Sequence, residues 1–182
     1  DPVVLDQYPI ELSGGMKQKL ALSCMLMHEP KVIVLDEPTF GVDPVSRSEF
    51  WDILRSLAEN GTSVLVSTAY MDEAGMCDRV ALMFEGNILA MDQPDRLLQS
   101  YDEPLYLIET DQVHIAYNVL HKLNEFSDCN LFGNGVHIAD ENNLGETGIK
   151  EILDKKKIEY SSIERIDVDL EDLFLKLIKD VS

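Results

Sequence analysis

The sequence predicts an α/β protein in two parts, a parallel-sheet unit over residues 1–100 and a smaller α+β unit over residues 101–182. Three observations carry this. Two short β-branched runs, Val32–Leu35 and "SVLVST" at 63–68, flank a helical stretch, and strand, helix, strand in about forty residues is a βαβ unit with parallel strands. The pattern resets at "SYDEP", residues 100–104. Beyond it, strands and helices succeed one another in the order βαββαβ.

Taken in order, "SGGMKQKLALSCMLM" (13–27) is a helix opened by a Ser cap and ended by Pro30. Val32–Leu35 is expected to be a strand covered on both faces. "PVSRSEFWDILRSLAENG" comes next as a helix with Pro44 at its start, Phe50, Ile53, Leu54 and Leu57 on one face and Gly61 past its end. "SVLVST" is a second buried strand. After "MDEAGM", the stretch "RVALMFEGNILAMD" reads as a hairpin around Glu85, Gly86 and Asn87, with Gly86 and Asn87 available for positive φ. "PDRLLQS" supplies a short helix. The second part runs through strand "LYLIE", helix "QVHIAYNVLHKLNEF", strands "CNLF" and "VHIAD", helix "ETGIKEILDKKK" and strand "SIERIDV", an order that is ferredoxin-like. It closes on "DLEDLFLKLI", an amphipathic helix opened by Asp169.

Charge restricts the partners. With 34 acidic and 15 basic residues the net charge is −19, spread over both halves, so a nucleic acid partner is not expected. The basic run "DKKK" at 154–157 reads as the solvated end of a helix. Cys24, Cys77 and Cys129 are odd in number and lack C-x-x-C spacing, against a disulfide framework or a zinc site and for a reducing, cytosolic setting. No apolar run approaches the ~18 residues of a membrane span. Because the sequence opens at Asp1 with neither Met nor leader, it is expected to continue a longer protein.

Chemistry enters at "KVIVLDEPTFGVDP", residues 31–44. Asp36 and Glu37 stand at the C-terminal end of a predicted parallel strand, where open α/β sheets hold their ligands. A hard cation such as Mg²⁺ suits the first carboxylate, and the second could orient or deprotonate a water. Both duties belong to nucleotide hydrolysis. That reading needs a phosphate cradle, yet no glycine of this sequence begins G-x-x-x-x-G-K-[ST]. The nearest phosphate-friendly stretch is "LSGGMKQK", whose Ser13 and glycine backbone N–H groups lie at a helix N-terminus.

Together, "LSGGMKQ", "VIVLDEP", "GVDP" and "STAYMDEA" resemble, in order, the signature, Walker B, D-loop and switch motifs of ATP-binding cassette (ABC) ATPases, over residues 11 to about 98. Residues 105–178 are more weakly similar to the C-terminal extension of ABC-2 type drug-exporter ATPases. The resemblance implies a P-loop NTPase core lacking its P-loop; the ferredoxin-like unit after it is read, by analogy of fold alone, as serving regulation or dimer contact. It further implies that Ser13, Gly14, Gly15 and Gln18 meet the ATP of a second ABC ATPase domain, a homodimer partner or tandem cassette. Asp36 would support Mg²⁺ through water, Glu37 would act as base or water-positioning group, and Asp43 would serve the nucleotide interface and carry signals across it. A membrane-spanning permease is the implied second partner, and the inner face of the cell membrane, as a peripheral cytoplasmic protein, the implied location.

The sequence departs from the family at Ala69, where a histidine usually contacts the γ-phosphate; a methyl group cannot. Without the P-loop, the chain alone is expected to bind ATP poorly, and its two carboxylates to be solvated and idle. The leading reading is the ATP-hydrolysing component of an exporter. A non-catalytic cassette that clamps ATP across a dimer, marked by Ala69, and a soluble cassette ATPase acting on ribosomes or DNA are the alternatives. The histidines, with no paired spacing or nearby carboxylate set, suggest no metal site, and the methionines and Trp51 read as packing.

Overall fold

Ser13 opens the first helix: its hydroxyl accepts the Met16 N–H at 3.3 Å, and α1 runs Gly14–Leu26. The structure, a computed structural model, describes residues 8–181. Strand β1 (Val32–Asp36) comes next, then α2 (Pro44–Glu59), capped by Asp43 and carrying Pro at its start, then β2 (Ser63–Ser67). Strands β1 and β2 pair in parallel with Asp36 opposite Ser67, as the βαβ pattern predicts. Helix α2 packs on β2 and α1 packs on α2. Phe50, Trp51 and Leu54 of α2 are buried together with Leu22 and Ile33, each such side chain contributing roughly 1.5–3 kcal/mol.

The expectation that β1 and β2 are covered on both faces is not met. Ile33 is buried, but Val32, Val34 and Leu65 are exposed; among the described residues the sheet has two strands, with α2 packed on β2. β-branched composition reports strand propensity, not how many faces are covered.

Two compact units divide between Tyr70 and Met71. The second begins with the single helical turn α3 (Met71–Ala74) and a hairpin of β3 (Val80–Phe84) and β4 (Asn87–Asp92). Its two-residue turn has Glu85 at φ 47° and Gly86 at φ 77°, the double positive φ of a type I′ turn. Asn87, expected in the turn, already pairs with Phe84, which leaves Glu85 in the left-handed position. Helix α4 (Pro94–Leu98) leads to β5 (Leu105–Glu109), α5 (Val113–Leu120), β6 (Asp128–Phe132), β7 (Gly135–Ala139), α6 (Gly145–Lys156), β8 (Ser162–Ile166) and α7 (Leu170–Val181). Strands β5 to β8 form one antiparallel sheet in the order β6-β7-β5-β8. The helix predicted over 112–126 stops at Leu120, where His121 closes it with a bond back to Tyr117.

Alternation along β7 sends Val136 and Ile138 into one core with Ala116, Leu120, Ile149 and Leu153, and Ala139 into another with Leu105, Leu170 and Leu173. The second core also takes Val80, Leu82 and Leu97 from the hairpin and α4. Residues 71–100 therefore pack with β5, β7 and α7, and the packing division falls thirty residues before the change of sequence pattern at 100–104.

Candidate functional site

All the predicted site residues lie in the first unit, around the C-terminal end of β1. The parallel ladder sets Asp36 beside Ser67, and the Ser67 hydroxyl donates to Asp36 Oδ1. One residue on, Glu37 leaves the strand at φ 44°, a left-handed conformation that costs a non-glycine residue of the order of 1 kcal/mol. Its backbone N–H is held by the Ser67 carbonyl at 3.0 Å and the Ser67 hydroxyl at 3.1 Å. Glu37 Oε2 accepts the Ala69 N–H at 3.3 Å. The two acids are thus not idle, as the sequence suggested. Asp36 is exposed and Glu37 half-buried, and both are tied to the end of β2. Ser67, unremarkable in sequence, becomes visible only through the strand register.

Beyond Glu37 the chain turns through Pro38 and Thr39, both buried, and Gly41 at φ 71°, and reaches Asp43. Asp43 Oδ1 accepts the Ser46 N–H at 2.9 Å and so caps α2. The bonds from the Ser46 backbone and hydroxyl hold its carboxyl below the usual carboxylate range. Arg47, one residue past Ser46, lies over the Tyr70 ring at 4.9 Å.

Packing brings the N-terminus of α1 to this loop. A Cβ on Gly14 would lie 3.5 Å from the Gly41 carbonyl, and one on Gly15 would lie 2.4 Å from Ser46 Cβ. Gly15 is buried, so the absence of its side chain admits Ser46, whereas Ser13 and Gly14 are exposed and Gln18 is half-buried on α1. The predicted residues therefore lie on three segments: the start of α1, 13–18, packs on the loop around Gly41 and Ser46, and 67–69 hold Asp36 and Glu37. Ala69 offers its backbone N–H alone.

Mg²⁺ binds through one or two carboxylates and keeps several waters. The exposed Asp36 carboxylate, whose Oδ1 accepts the Ser67 hydroxyl, is a donor of that type. Among the described residues no group of three or more His, Cys, Asp or Glu side chains converges as a metal cage. In the second unit the sequence pattern showed no carboxylate near His137, but Asp172 Oδ1 lies 2.8 Å from its Nδ1 and Phe132 stacks on the ring at 4.0 Å. The pair is 35 positions apart in sequence, beyond the reach of any local pattern.

Residues 2–40 match the family model for ABC transporters. Over 87 residues the chain is 53% identical to YbhF of Escherichia coli (strain K12), named as a probable multidrug ABC transporter ATP-binding protein, covering 48% of this chain and 15% of that protein. Over 91 residues it is 46% identical to Nod factor export ATP-binding protein I of Burkholderia orbicola (strain AU 1054), covering 50% of this chain and 30% of that protein. A solved ATP-binding subunit of an ABC transporter is 28% identical with a TM-score of 0.47, over 53% of this chain and 41% of that one. Over about half of its length, then, the chain is similar to the ATP-binding proteins of ABC transporters. It is homologous there to these two proteins and spans less than a third of the length of either.

Proposed function

We propose that this chain is part of the ATP-hydrolysing component of an ABC exporter, with half of a nucleotide site on its surface. One observation carries the reading. Asp36 and Glu37 are locked side by side against β2 while the N-terminus of α1 packs on the loop just after them. The relatives' names, a multidrug ABC transporter ATP-binding protein and an export ATP-binding protein, support the same assignment.

In this reading Ser13, Gly14 and Gln18 present α1's N-terminal end to the ATP of a second cassette, and Gly15 keeps that end seated on α2. Asp36 would hold Mg²⁺ through water. The metal, when bound, neutralises charge on the phosphates. Glu37 takes the proton of the attacking water at Oε1 while Oε2 stays on the Ala69 N–H. Asp43 links the nucleotide interface to α2 through its cap. Ala69 contributes no imidazole, which makes hydrolysis slow and keeps open a cassette that only clamps ATP. The activity requires a phosphate cradle that this sequence does not contain.

A membrane permease and a second ABC ATPase domain are the partners proposed, with the protein peripheral at the inner face of the membrane. No helix among the described residues is long and apolar enough to cross a bilayer. We read residues 1–100 as the cassette portion, as the sequence pattern divides them, and residues 101–182 as a ferredoxin-like unit for regulation or dimer contact. The antiparallel order β6-β7-β5-β8 with two crossover helices supports the latter. The test is ATP turnover by the intact cassette protein. Glu37→Gln should lower it by roughly a hundredfold or more with nucleotide binding retained. Turnover unaffected by that change would remove the catalytic reading, and binding without turnover in the wild type would favour the clamp.

A further inference from the structure

We propose that Ser67 is a positioning residue for both carboxylates, the group that fixes Asp36 and Glu37 relative to one another. The inference rests on the ATPase reading for its functional consequence but on geometry alone for the clamp itself.

A serine hydroxyl has one proton and two lone pairs. Here the proton goes to Asp36 Oδ1 and a lone pair receives the Glu37 N–H at 3.1 Å. The two bonds use different parts of one oxygen, so the hydroxyl is oriented by both acids at once. The Ser67 carbonyl takes the same Glu37 N–H at 3.0 Å, which anchors the backbone of a residue held at φ 44°. With its N–H and Oε2 both tied to the segment 67–69, Glu37 keeps the conformation that carries its side chain over the end of β2.

Ser67 touches neither the proposed metal nor the water. It acts through the residues that do, in the manner of the outer-shell groups that orient metal ligands. The parallel register Asp36 to Ser67 makes this possible, because residues paired in the ladder present neighbouring side chains at the same end of the sheet. Threonine would preserve the hydroxyl, and alanine would leave Asp36 without this donor and Glu37 with the carbonyl alone.

Two measurements decide it. In the 182-residue chain, hydrogen exchange by NMR should show the Glu37 amide exchanging several-fold faster in Ser67→Ala and at the wild-type rate in Ser67→Thr. An unchanged Glu37 amide in Ser67→Ala overturns the clamp. In the intact cassette protein, Ser67→Ala should lower kcat roughly ten- to a hundredfold and raise the Mg²⁺ concentration for half-maximal turnover, with KM for ATP unchanged and Ser67→Thr restoring both. A strand-end serine with a merely structural role would shift Tm and leave kcat and the Mg²⁺ requirement alone, and that outcome also overturns the inference. A wild-type protein with no ATP turnover refutes the proposed function instead, and the exchange experiment then judges Ser67 by itself.

Discussion

Ser46 occupies the space that a side chain at Gly15 would need: a Cβ built on Gly15 falls 2.4 Å from Ser46 Cβ and 2.6 Å from its hydroxyl oxygen. This joins the start of α1 to the start of α2 at the point where Asp43 caps the latter. Gly15→Ala is expected to destabilise the chain by about 1–3 kcal/mol, the usual cost of overpacking. The double change Gly15→Ala with Ser46→Gly should recover part of that loss. Urea unfolding monitored by circular dichroism checks both, and equal loss in the single and double variants would show that the contact is unimportant.

Ala69 contributes its N–H to Glu37, and any residue but proline would keep that bond. Ala69→His in the intact cassette protein therefore adds an imidazole without removing the backbone contact. ATP turnover is expected to rise, on the order of tenfold. A rate equal to wild type would mean that position 69 does not limit hydrolysis.

Burial pushes the Cys129 thiol up to about 12, whereas Cys24 is exposed. At pH 8 iodoacetamide should label Cys24 and spare Cys129 until urea is added, as read by mass spectrometry. Stability should also depend on pH at the alkaline end. The unfolded thiol ionises near its ordinary 9.0 while the folded one keeps its proton. Its contribution to stability is fully present below about pH 9 and is lost as pH rises toward about 12. A Cys129→Ala variant should lose this alkaline decline.

Asp172 is buried against His137 and also receives the Asp169 N–H at 3.3 Å, while its own N–H goes to Asp169 Oδ1 at 2.8 Å. Asp172→Ala strips a half-buried imidazole of its partner and should cost about 1–2 kcal/mol. Asp172→Asn, which can still accept at one oxygen, should cost less. Thermal unfolding of the two variants side by side is the check.

The boundary of what could be read from sequence is physical. The Ser13 cap, the helix start at Pro44 and the strand–helix–strand alternation are local, and the structure has them where the residues predict. The three segments that carry the proposed site residues stand out in the sequence because their motifs are short and contiguous. Ser67 was not, since its significance depends on pairing with Asp36, 31 positions away. His137 with Asp172 failed for the same reason. Val34 was misjudged on other grounds: an apolar β-branched run looks alike whether a sheet is covered on one face or two, and here 66% of Val34 is exposed.

Glu37 stands at φ 44°, a conformation in which glycine would be at ease and asparagine tolerated. Foldability and chemistry therefore pull this one position in opposite directions. Variants selected for thermostability alone should drift toward Glu37→Gly, gaining resistance to heat as they surrender the carboxylate. Under the proposed function, a glutamate kept there in the face of that pressure would mark the place where the chain holds activity above robustness.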